Sequence, residues 1–74
     1  MTQSQKLNRA VGARVQARRL KIGLTQEQLA KKLRCSSAHV SYIERGERGA
    51  SLTTLFRIAR ILDTTVGRLV PTQL

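Results

Sequence analysis

At 74 residues, with hydrophobic residues at 41%, one proline and five glycines, the chain is sized for one domain around one core, and its composition argues against disorder. Fourteen Lys and Arg against four Asp and Glu give a formal charge of +10, which makes a polyanion the expected partner, nucleic acid ahead of an anionic membrane surface. One cysteine and one histidine exclude an internal disulfide and a four-ligand zinc site, and four scattered acids leave little for general acid–base chemistry, so neither an enzyme nor a metal or cofactor is expected. There is no run of about 20 apolar residues and no secretory leader pattern, so no membrane association and a cytoplasmic location are expected.

Residues 1–5 read as a polar, frayed start. From there Leu7, Val11, Val15 and Ile22 fall on one helical stripe that Gly23 is placed to end. Arg19 shares that stripe. A guanidinium beside a core is costly unless paired, and Glu44 alone among the four acids is expected at the edge of another inward face, so an ion pair between Arg19 and Glu44 is expected to tie the first helix to the third. Arg9 and Arg14 read as part of a solvated basic face.

Thr25 is an N-cap with Gln28 three residues on, a capping box that opens a second helix. Leu29 and Leu33 point inward there, and Lys31 and Lys32 outward. The free amides at its start, with the Gln26 side chain beside them, suit a phosphate. Only Arg34 and Cys35 then separate this helix from Ser36, the cap of a third helix that Gly46 terminates. At about 100° per residue, Val40, Ile43 and Glu44 share one side, while Ala38, Ser41, Tyr42 and Arg45 cluster on the other. The outer side is small, polar and cationic, with one hydroxyl-tipped aromatic, as a helix needs to meet base edges and phosphates in a major groove. Two helices joined this tightly form a helix-turn-helix.

Gln26, Leu29, Ala30, Leu33, Val40 and Ile43, followed by Glu44-Arg45-Gly46, stand at the spacings of the bipartite motif of the Cro and phage-repressor (Xre-type) family, which the chain resembles from about Val11 to Leu69. The resemblance extends to Leu-Lys-Ile-Gly-Leu-Thr-Gln at 20–26 and to Ser-Leu-x-x-Leu from Ser51. It implies an all-α fold of five short helices, of the lambda-repressor kind, over 1–74, with the helix-turn-helix at about 26–45. Two departures matter. The family often has glycine where Arg34 stands in the turn, and a left-handed conformation there costs an arginine about 1 kcal/mol. It also often opens the third helix with glutamines that grip adenine, where Ser37 and Ala38 stand here, so no target sequence carries over.

On this reading Ser37, Ala38, Ser41 and Tyr42 contact bases, and Gln26, Ser36, His39, Arg45 and Arg48 contact phosphates. His39 flanks the outer face, where simple solvation is the alternative. Cys35 occupies a position for a small buried hydrophobe, with a redox role as the sharper alternative. Ser51 caps a fourth helix whose Leu52, Leu55, Phe56, Ile58, Ala59 and Leu62 are expected inward, and Asp63 stands where the family has a left-handed glycine. A last short helix near 66–70 ends at Pro71, with Leu69 in the core. Ile61, Val66 and Val70 are assigned to a two-fold dimer contact, because small domains of this type gain affinity from paired half-sites.

The sequence thus points to a homodimeric regulator of transcription that binds a palindromic site in double-stranded DNA, with contact to RNA polymerase as one route of control. Two rivals stand beside it: a protein-binding module, such as an antitoxin covering a toxin or a bridging factor, and a sequence-blind binder of RNA or anionic lipid.

Overall fold

A computed structural model describes residues 1–73, and among them the chain forms five helices: α1 (Gln3–Lys21), α2 (Gln26–Leu33), α3 (Ser37–Glu44), α4 (Leu52–Ile61) and α5 (Val66–Leu69). Each start is fixed locally. Thr2, Thr25, Ser36, Ser51 and Thr65 sit in extended conformation and accept the amide of the residue three positions on, which satisfies a donor the helix cannot. Thr2 and Gln5 form the same reciprocal box as Thr25 and Gln28, so α1 starts at Gln3 and the expectation of a frayed start over residues 1–5 is corrected.

The ends of α1 to α4 share one device. Gly23, Arg34, Gly46 and Asp63 all have positive φ, and in each case this residue and the next return their amides to carbonyls of the last turn. Glycine takes that conformation freely; Arg34 at φ 59 and Asp63 at φ 54 bear a steric cost in order to keep the same short connection.

The core is Val11 and Val15 from α1, Leu29, Ala30 and Leu33 from α2, Val40 from α3, Leu55, Ile58, Ala59 and Leu62 from α4 and its end, and Leu69 from α5. Cys35 packs half-buried against it, as a small hydrophobe would. Three inward assignments are corrected. Ile22 is the C-cap of α1 and 38% exposed, because the chain turns away at Gly23; Leu52 and Phe56 are 64% and 56% exposed. On α4 the buried quartet spans a narrow arc centred near Leu55 and Leu62, and Phe56 lies about 100° from Leu55, beyond what α1, α2 and α5 cover.

What holds α3 in place is its close approach to α1. A Cβ on Gly12 would lie 2.2 Å from the Ile43 carbonyl oxygen and 2.6 Å from that of Glu44, so only glycine lets the two backbones pack at this distance.

Candidate nucleic-acid interface

The inner edge of α3 carries the polar junction of the molecule. Arg19 Nε donates to Glu44 Oε2 at 2.6 Å and its Nη2 to Oε1 at 3.0 Å, a two-pronged pair whose residues are each 6% exposed. Arg19 Nη1 also donates to the Leu24 carbonyl at 2.8 Å, and Gln26 Nε2 donates to Glu44 Oε1 at 2.9 Å. No buried side-chain nitrogen or oxygen among the described residues lacks a partner, so the cost of burying two charges is met by geometry. The hydrogen bond that Arg19 donates to the Glu44 carboxylate raises the Arg19 pKa above its ordinary value against the opposing pull of burial, and the guanidinium stays charged at every working pH. The expected Arg19–Glu44 pair is therefore present. It joins α1, the loop after it, the first turn of α2 and the end of α3.

Gln26 has a role that its assignment to phosphate did not include. Gln26 is half-buried and its side chain spends one amide proton on Glu44, linking the first turn of α2 to the end of α3. A second amide proton is left for a ligand.

The outer side of α3 is free of such commitments. Ala38 is exposed, and Ser37, Ser41 and Tyr42 are half-buried, as is His39 at the flank. The Ser36 hydroxyl accepts the His39 amide as the cap and keeps its own proton to donate. Two guanidinium groups lie over the Tyr42 ring, with Arg45 Cζ 5.3 Å and Arg48 Cζ 4.9 Å from its centroid, both within cation–π range. The loop after α3 is what brings Arg48 back over the ring: with Gly46 left-handed, the Glu47 and Arg48 amides both turn toward the Tyr42 carbonyl. Glu47 pairs with Arg45 at 2.9 Å on an open surface.

Sequence reasoning missed two contributors. Arg9 lies against Gly46, where an added Cβ would meet its Cα at 2.6 Å, and it lines a cleft of ≈ 490 Å³ with Arg45 and Glu47. Nothing local marks it, since α1 and the loop after α3 meet only in the folded chain. Gly12 did carry a signal, because a glycine on the inward stripe of a long helix costs about 1 kcal/mol and calls for a packing reason.

Of the residues assigned to self-association, Ile61 and Val70 line different grooves. Ile61, Val66 and Val70 are all half-buried against the core; Ile61 shares a groove with Lys32, Arg57 and Arg60, whereas Val70 lines an apolar one with Leu52 and Leu55. Part of the basic surplus is also architectural. Arg18 donates to the Leu62 and Asp63 carbonyls, Arg57 to that of Leu33 and Arg14 to that of Arg68, closing helix ends that would otherwise present bare oxygens.

Two short helices joined through a left-handed residue, the second with one side locked into the core and the other open, define a helix-turn-helix domain. A helix-turn-helix family model matches residues 15–69, and the chain belongs to that family, in its Xre-type branch. It is 34% identical over 53 residues to a protein of Archaeoglobus fulgidus described as an uncharacterized HTH-type transcriptional regulator, covering 72% of this chain and 76% of that one. Among solved structures it is similar to the clp gene regulator ClgR from Corynebacterium glutamicum (TM-score 0.82, 30% identity, 85% of this chain and 67% of that one). It is likewise similar to the restriction-modification controller protein C.AhdI from Aeromonas hydrophila (TM-score 0.78, 32% identity, 84% and 94%). The same fold occurs in the hydroxypropylphosphonic acid epoxidase from S. wedmorenis (TM-score 0.85, 31% identity), where 90% of this chain matches 36% of the enzyme. Among the described residues no group of side chains could hold a metal ion, and no helix is long and apolar enough to cross a membrane.

Proposed function

We propose that this chain binds double-stranded DNA sequence-specifically, as a homodimer on a palindromic operator, and regulates transcription from it. The observation that carries this reading is the asymmetry of α3: Val40, Ile43 and Glu44 are buried, while Ser37, Ala38, Ser41 and Tyr42 present hydrogen-bonding and methyl groups with no internal task. Those four read base edges in the major groove. Gln26, Ser36, His39, Arg45 and Arg48 hold the phosphates to either side, with the Arg45 and Arg48 guanidinium groups resting over the Tyr42 ring. Arg9, beside Arg45, joins them at the rim.

For the homodimer we favour the end of the molecule where Val70 approaches Leu52, because Leu52 and Phe56 there are the large apolar side chains of α4 left in water. Ile61 and Val66 then keep their places against the core. Two recognition helices related this way would lie about 34 Å apart on one face of the duplex.

Selection of bound duplexes from a random library near physiological salt, followed by titration of the winner against a scramble, tests the reading. A palindromic site preferred by about a thousandfold is the expected result. A chain that discriminates little among duplexes while capturing a specific protein from its host would be an antitoxin or bridging factor instead.

A further inference from the structure

Four of the fourteen cations, Arg14, Arg18, Lys21 and Arg68, gather on a groove of ≈ 320 Å³ between α1 and the α4–α5 connection, floored by Ala17 and Thr64. The groove lies away from α3. On α1 it is Gly12 and Arg19 that face α3, and at about 100° per residue Arg14, Ala17 and Lys21 fall on the opposite side of the helix. Among the described residues none of the four forms an ion pair, and the acid nearest in sequence, Asp63, engages Arg18 through its backbone carbonyl.

Gathering four like charges without a counter-charge raises the energy of the folded chain. Closure of helix ends accounts for Arg18 and in part for Arg14, whose Nη1 donates to the Arg68 carbonyl at 3.1 Å. It accounts for neither Lys21 nor Arg68, whose side chains line the groove and make no hydrogen bond among the described residues. The two anchored guanidinium groups hold its wall, and the two free cations can follow a chain of anions. An acidic protein surface fits less well: stable protein contacts centre on large apolar anchors, and beside the four cations this groove is lined only by Ala17, Thr64 and the buried Leu69.

We propose that the α1/α5 groove is a second, sequence-independent binding site for the phosphate backbone of duplex DNA, so that a protein seated on one duplex through α3 can hold another against its back. This rests on the DNA-binding reading for the first duplex only. The test uses the full chain, a bead-tethered mixed-sequence duplex and a free fluorescent duplex at low salt. Wild type should retain the fluorescent duplex on the beads. The variant Lys21→Glu/Arg68→Glu, which breaks no hydrogen bond of the fold, should retain at least about tenfold less, while its binding to a single duplex stays within about threefold of wild type. Arg14→Ala/Lys21→Ala/Arg68→Ala should behave likewise without reversing any charge. Circular dichroism establishes that both variants fold.

Undiminished retention by the variants overturns the second site, as does a wild type that binds the tethered duplex and captures no other. Capture of polyglutamate in preference to the second duplex also overturns it, in favour of an acidic peptide. If wild type bound no duplex at all, the α3 reading and this one would fall together, an outcome separable from the others because the tethered duplex would then retain no protein.

Discussion

The two sides of α3 are eight residues of one helix held to opposite standards. Inward, Glu44 is gripped by Arg19 and Gln26 and the backbone presses on Gly12; outward, the side chains of Ser37, Ala38 and Ser41 make no hydrogen bond among the described residues, and Tyr42 is flanked by side chains that are themselves solvated. The inner side fixes where the helix stands. The outer side can therefore change with little effect on the fold.

The strongest way to break this division is to remove Glu44. Glu44→Ala leaves the Arg19 guanidinium buried without its partner, and a loss of about 3–5 kcal/mol is expected, seen as a fall in Tm of at least about 12 °C. Arg19→Met combined with Glu44→Leu should recover most of it, because what destabilises is the orphaned charge. A Glu44→Ala protein melting like wild type would show that the inner side is not what positions α3.

Gly12→Ala comes next. The added methyl meets backbone oxygens, which cannot swing aside, so α1 and α3 must separate, at about 2–3 kcal/mol. Thermal melts would show it, and duplex affinity should fall in the surviving folded fraction because α3 has moved.

Substitutions on the outer side sharpen the comparison by leaving Tm unchanged. Arg48→Ala should weaken binding to all duplexes and make the dependence of log K on log salt shallower by about one unit. Tyr42→Ala should shift preference among sequences; equal losses on every duplex would remove it from base reading and leave it as the support for Arg45 and Arg48, a role Tyr42→Phe preserves. The smallest effect is expected at the turn. Arg34→Gly relieves a left-handed arginine and should raise stability by about 0.5–1 kcal/mol, measurable as a small increase in Tm.

The caps were legible because Thr25, Ser36 and Ser51 act on amides three residues away, a purely local matter. The box at Thr2 is equally legible, since Thr2-Gln3-Ser4-Gln5 repeats the pattern of Thr25-Gln26-Glu27-Gln28, and only the general tendency of chain starts to fray argues against it. The Arg19–Glu44 pair could be read across the chain because a buried cation demands an acid and few acids exist. No such scarcity applied to arginine. With so many of them, nothing in the order of residues distinguishes Arg57 closing α2 from Arg48 facing out, since that depends on which carbonyl ends lie within reach after packing. Leu52 and Phe56 were misplaced for a related reason: apolar character predicts burial only where another element arrives to provide it.

The packing of Arg45 and Arg48 over Tyr42 has an optical consequence. The chain has no tryptophan and Tyr42 is its only tyrosine, so its near-ultraviolet absorption and emission arise almost entirely from the face on which the target is proposed to dock. The protein carries its own unlabelled reporter. A change in tyrosine emission on adding duplex would register events at the third helix and be nearly blind to anything happening on the other side of the molecule.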